Sequence, residues 1–151
     1  FQILKLKEEE YQIKLFKKRL VKQVRECIKN NFTPVLFTSR EVLIAKSNDE
    51  EFAFNKSLAS FIAQIIKELK FEIGYLISKG GITTNTILSE GFNVNSVYLE
   101  GQIMKGISLV SVNLTEINAS MPVITFPGNM GAEHTMKNVW NVIENKGISN
   151  I

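Results

Sequence analysis

Two short segments hold the residues best suited to chemistry: Lys79-Gly80-Gly81-Ile82-Thr83-Thr84 and Pro127-Gly128-Asn129-Met130-Gly131. Each follows a short apolar run and precedes a stretch of helical periodicity, so each reads as the turn from a strand into a helix. A glycine turn lets main-chain N–H groups converge with no Cβ in the way, and the start of the following helix adds positive potential. Such a turn suits an anion, phosphate above all. Either glycine segment taken singly is accounted for by a tight turn. Two at equivalent strand ends point to a ligand, because ligands of open α/β sheets gather beyond the carboxyl ends of the strands. Neither segment carries the dinucleotide pattern G-x-G-x-x-G or a phosphate loop ending in G-K-S/T, so spacing alone implies a phosphate-bearing ligand and nothing narrower.

The scarce titratable groups restrict the chemistry further. The chain has one histidine, His134, and one aspartate, Asp49, which falls in a polar stretch, Lys46 to Glu51, read as a loop. A histidine-ligated metal or a Ser/His/Asp arrangement would need His134, whose place at the start of the last helix favours a hydrated or capping role. No glutamate stands in a recognisable pair. The residues therefore name no catalytic group and no metal ligand. The single cysteine, Cys27, excludes an intrachain disulfide and reads as a small core residue on an apolar helix stripe.

These segments must be held by the elements around them. With 151 residues, 44% hydrophobic and 22% charged, the chain suffices for one globular domain. Its net charge of +3 arises largely from Lys14, Lys17, Lys18, Arg19, Lys22 and Arg25, which at helical spacing form a solvated face rather than a nucleic-acid surface. No apolar run reaches membrane-spanning length and the start lacks an export signal, which makes the cytoplasm the expected compartment and a membrane no expected partner. A first amphipathic helix runs from Glu8 through Ile13, Phe16, Leu20, Val24 and Cys27. Pro34 opens Val35-Leu36-Phe37-Thr38, read as a buried strand. Leu58, Phe61, Ile62, Ile65, Ile66 and Leu69 mark a second helix, and Tyr75 to Ser78 a second strand. A short helix capped by Thr83 or Thr84 follows and closes near Gly91. Val94–Gly101, Ile107–Asn113 and Val123–Phe126 read as three more strands, before a helix with Met136, Val139, Trp140 and Ile143 inward that Gly147 ends. The alternation predicts a three-layer α/β domain, with a mostly parallel central sheet and flanking helices.

Three segments in this order and spacing, Ser78-Lys79-Gly80-Gly81-Ile82-Thr83, Leu99 to Ile107 and Pro122 to Gly131, resemble the C-terminal domain of the four-carbon acid sugar kinase family. The resemblance takes in Thr38-Ser39-Arg40 and covers about Gln2 to Ile143. It implies a two-domain enzyme, in which an N-terminal domain binds a sugar acid such as threonate or erythronate and supplies the base. The C-terminal domain, here residues 1–151, binds ATP with Mg2+. By matching motif, Gly80, Gly81, Ile82 and Thr83 would contact the nucleotide phosphates. Gly128, Asn129, Met130 and Gly131 would shape the pocket together with Gly101. The family's turn near Gly106 usually has a proline before the glycine; here Met104-Lys105 precede it, and Lys105 could be brought toward the phosphates or remain a solvated loop lysine. Family members also have a serine-rich nucleotide-contacting segment ahead of the first long helix, whereas this chain begins at Phe1. The expectation is a piece of a longer kinase that is inactive alone. Its uncovered docking surface would favour homodimers. The alternative is a non-catalytic nucleotide-binding or interaction domain of the same fold.

Overall fold

The computed structural model describes residues 2–38 and 47–146. They fall in two compact units, residues 1–53 and 54–151. The first contains helix α1, Gln2–Lys29, which starts earlier than the expected Glu8. Its exposed face is tied by i,i+4 contacts, Gln12 donating to Glu8 at 2.9 Å and Lys14 pairing with Glu10 at 2.7 Å. The chain leaves the helix at Asn31, whose φ of 59° lies in the left-handed region that asparagine tolerates. Cys27 is half-buried rather than a core residue.

Residues 32–38 have no regular structure, which corrects the strand expected at Val35–Thr38. A strand exists by pairing its N–H and C=O groups with a neighbour. Among the described residues none pairs with this run, and Val35 and Phe37 are 73% and 83% exposed. Ser39, Arg40, Lys46 and Gly147 lie outside the described residues. Helix α2 is Asn48–Leu69, so most of the loop assigned to Lys46–Glu51 is helical. Ser47 caps it: its Oγ accepts the Glu50 N–H at 3.2 Å and its carbonyl the Glu51 N–H at 3.1 Å. Asp49, Glu50 and Glu51 occupy the first turn, where the helix dipole favours negative charge.

The second unit is built on a four-stranded sheet of β1 (Leu76–Lys79), β2 (Tyr98–Met104), β3 (Ile107–Leu114) and β4 (Ala119–Phe126). Their spatial order is β1-β4-β3-β2. The α/β class with flanking helices is as expected, but the sheet is mixed, not mostly parallel. Only β1 and β4 run parallel, while β2–β3 and β3–β4 are antiparallel. The cause is connection length. Two residues join β2 to β3, and a single 3-10 turn at Thr115–Ile117 followed by left-handed Asn118 joins β3 to β4. Neither link can make the crossover of a dozen or more residues that parallel neighbours require.

Side-chain alternation divides the core between the two faces of this sheet. Val110, Val112, Leu114, Met121 and Val123 point to one face, with Ala63 and Ile66 of α2 and with Ile87 and Phe92. Ile107, Leu109, Ile124 and Phe126 point to the other, with Val139 and Ile143 of helix α4, Thr135–Lys146. Met136, expected inward on α4, is exposed. Helix, sheet and helix thus form the three layers. The short helix α3, Gly81–Thr86, continues into a π-helical turn, Ile87–Gly91. Tyr75 donates to Glu144 at 2.5 Å and ties the entry of β1 to α4. No helix among the described residues is long and apolar enough to cross a membrane.

One ion pair in this unit is tied to pH. Lys70, only 7% exposed, donates to Glu116 at 2.7 Å and lies 4.8 Å from the Phe71 ring centroid. The Lys70 hydrogen bond, with help from the backbone, holds the Glu116 carboxyl below its ordinary value of 4.5. A carboxyl with a lowered folded-state value contributes stability above its unfolded value and loses it as pH falls through the folded one. The melting temperature should therefore drop from about pH 5 downward. Glu116→Gln should flatten that acid-side slope, as followed by circular dichroism. An unchanged slope would assign the acid sensitivity to other carboxyls.

Candidate functional site

The one parallel pair in the sheet determines where the glycine turns meet. Lys79 and Phe126 are register partners at the carboxyl ends of β1 and β4, so the segments that follow leave the sheet side by side. The Gly80 N–H donates to the Phe126 carbonyl at 2.8 Å, extending the pairing by one residue. Gly80 then turns the chain with φ of 100°, a conformation L side chains rarely adopt. A Cβ added at Gly128 would lie 3.6 Å from the Gly80 Cα, so the two turns approach to within reach of a single side-chain carbon.

The first turn is locked from beneath. Ser78 and Thr84, both buried, share a hydrogen bond of 2.9 Å between their hydroxyls, and the Thr84 N–H closes on the Gly80 carbonyl at 2.9 Å. Thr83 or Thr84 was expected to cap the helix with its side chain. The N-cap is instead Gly80, with no side-chain cap, because the Thr84 hydroxyl is directed back to Ser78. The Thr84–Gly80 bond is the first of the helical series, which leaves the N–H groups of Gly81, Ile82 and Thr83 without helical partners. The second turn is closed by the Met130 N–H on the Pro127 carbonyl at 3.3 Å.

Between the turns lies a cavity of about 500 Å³, lined by Gly81, Thr84, Asn85, Leu88, Thr125, Phe126, Pro127, Gly128 and Asn129. That volume is within the range of small-molecule sites. None of the nine residues has an ionisable side chain, and the Thr84 and Thr125 hydroxyls are engaged by Ser78 and by the Ser108 carbonyl, so what the lining offers a ligand is main-chain N–H groups, two amides and apolar surface. This set can hold a phosphate chain and an adjoining ring. It offers Mg2+ no carboxylate, and a magnesium ion would be held by phosphate oxygens and by groups beyond this lining.

Of the residues expected at the site, Gly80, Gly81, Gly128 and Asn129 are brought together. Ile82 and Thr83 are on the first turn of α3 but do not line the cavity, and the Ile82 side chain is exposed. Met130 and Gly131 belong to the second turn, with the Met130 side chain directed toward Gly106 of the β2–β3 connection. Gly101 is elsewhere. It sits in the edge strand β2, at a register irregularity opposite Leu109, with two strands between it and β1. Lys105 is exposed in the β2–β3 turn and does not line the cavity. His134 is exposed, and its carbonyl accepts the Asn138 N–H at 2.9 Å at the head of α4. The expected site residues did not include Thr84, Asn85, Leu88, Thr125, Phe126 and Pro127; helical spacing from Gly81 places Thr84, Asn85 and Leu88 on one face and is the signal that could have found those three.

The family model described as a nucleotide-binding C-terminal domain matches residues 2–136. No curated protein matches the chain. Two crystal structures of a domain of unknown function, DUF1537, from Bordetella bronchiseptica are similar to it, each a domain-swapped dimer with bound citrate. Both align with a TM-score of 0.54 at 14% identity, over 80% and 81% of this chain. The chain spans only 29% and 30% of theirs. At that identity the likeness is one of fold.

Proposed function

Because the chain belongs to the family of nucleotide-binding C-terminal domains, we infer that the cavity between its glycine turns receives the phosphates of ATP. We read the whole as the nucleotide half of a kinase acting on a four-carbon sugar acid of the threonate or erythronate type. The observation that carries this reading is the convergence of two glycine turns at the carboxyl ends of the single parallel strand pair. Main-chain donors at such a place stabilise phosphate charge without a phosphate-binding lysine. Phosphoryl transfer needs chiefly positioning and charge neutralisation, with Mg2+ carried on the nucleotide.

A lining without ionisable side chains supplies no base. In this reading the base and the sugar acid come from an N-terminal substrate domain of the same protein. Self-association is part of the proposal as well: exposed Tyr11, Ile13, Val35 and Phe37 favour it, and the two similar crystal structures are swapped dimers. The alternative, a binding domain without catalysis, keeps the same cavity and differs only in lacking a partner that transfers phosphate.

The test is calorimetric titration of Mg-ATP into the chain, with adenosine and pyrophosphate as separate arms. Saturable binding of ATP that pyrophosphate competes away is the expected result. No heat with any of the three would sink the nucleotide reading. Release of ADP on adding threonate or erythronate to the protein joined to its substrate domain would support the kinase; ATP binding with no transfer to either acid would support the alternative.

A further inference from the structure

Lys79 stands at the junction of the two turns, and its ammonium is committed. Nζ donates to three carbonyl oxygens of the second turn: Pro127 at 3.0 Å, Gly128 at 2.9 Å and Met130 at 3.1 Å. It also lies 4.6 Å from the centroid of the Phe126 ring. An ammonium has three N–H donors, and three acceptors use all of them. Lys79 therefore has no donor left for a phosphate. We propose that Lys79 is a positioning residue, which orients the Pro127–Gly131 turn so that the N–H groups of Gly128 and Asn129, the two turn residues with a free N–H that line the cavity, face it and bind the phosphate; this rests on the nucleotide reading above.

The geometry follows from the planar trans peptide, in which C=O and N–H point in opposite directions. Drawing the carbonyls of Pro127, Gly128 and Met130 to one point turns the N–H groups of Gly128, Asn129 and Gly131 away from it. No hydrogen bond among the described residues engages any of these three N–H groups. Gly128 and Asn129 line the cavity, and Gly131 does not. Lys79 shares a sheet face with Ile77 and Phe126, which pack with α4. The cavity is lined by Thr125 and Phe126 at the end of β4 and by Thr84 and Leu88 from the α3 segment. The turn has three carbonyls on Lys79, and the Gly128 and Asn129 N–H groups, directed away from those carbonyls, belong to residues that line the cavity. The lysine thus acts on the anion through the backbone, as the cationic end of a dipole array. Since the ammonium is itself partly solvated, a substituted side chain that cannot bind carbonyls should let the turn relax without unfolding the core.

The experiment uses the 15N-labelled chain and the substitutions Lys79→Met and Lys79→Arg, with circular dichroism as the check on folding. In free protein, Lys79→Met should displace the amide signals of Gly128, Asn129 and Gly131, while those of β3 stay in place. Mg-ATP should bind Lys79→Met about tenfold more weakly, and Lys79→Arg, which keeps donors for the carbonyls, should recover most of the loss. Unmoved amides and unchanged affinity in Lys79→Met would overturn the proposal. If the parent chain binds no ATP, the nucleotide reading fails, and pyrophosphate then reads the turn directly. Shifts of the Gly128 and Asn129 amides on adding pyrophosphate, lost in Lys79→Met, uphold the positioning role, whereas their indifference to both anions overturns it.

Discussion

Gly81→Val is expected to abolish measurable Mg-ATP binding, with a loss of about a hundredfold or more, ~2.7 kcal/mol, and to leave the fold intact. A Cβ built at Gly81 meets no atom within 4 Å, and the residue's φ is outside the left-handed region. The added isopropyl group would therefore extend into the cavity that Gly81 lines rather than into packed protein. On the folded side the substitution costs little, and replacing glycine narrows the unfolded ensemble, so the melting temperature should stay within about 4 °C. Few substitutions separate binding from stability so cleanly. Calorimetry and thermal unfolding on one preparation read both. Undiminished binding in a folded variant would remove the phosphate from this turn; joint loss of binding and fold would mean that the space is not open.

How much of this arrangement was visible beforehand depended on whether the signal was local. The glycine turns were legible because Leu76–Lys79 and Ala119–Phe126 contain short apolar runs that end in Gly-rich segments. Their contact was not, since it rests on β1 and β4 being neighbours, which no local pattern states. The mixed sheet was within reach: a link as short as Lys105-Gly106 permits only a hairpin. The missed start of α2 had its signal too, because Ser47-Asn48-Asp49-Glu50 is the capping pattern of a serine followed three residues later by a glutamate. Val35-Leu36-Phe37-Thr38 misled for the opposite reason. Apolar composition predicts burial, but strand structure needs a neighbour that composition cannot supply. Gly101 was drawn to the pocket by family motif, yet its φ of 141° serves an irregularity in an edge strand.

The least legible part of the site is the support beneath the second turn. Ser78 under the first turn and Lys79 under the second are consecutive residues on opposite faces of β1. One places a hydroxyl against Thr84, and the other an ammonium against three carbonyls. A four-residue strand at the edge of the sheet thus holds both turns.

Gly131→Ala should accordingly destabilise the protein by about 2–4 kcal/mol, through strain and overlap together. Gly131 has φ of 101°, which any L side chain adopts only at a cost. Its added Cβ would also lie 2.9 Å from Phe126 Cζ and 3.3 Å from the Thr135 Cβ. Phe126 is a buried core residue whose ring faces the Lys79 ammonium, and the Thr135 hydroxyl accepts the Ala132 N–H at 2.8 Å at the approach to α4. Movement of either would loosen the turn, so ATP affinity should fall along with stability. Urea unfolding of Gly131→Ala, Phe126→Leu and the double variant separates the two causes. If overlap with the ring dominates, the shorter leucine relieves it, and the double variant should lose at least 1 kcal/mol less than the sum of the singles, a coupling on the order of those between contacting residues. Strict additivity would place the whole cost in the backbone conformation and none in the ring.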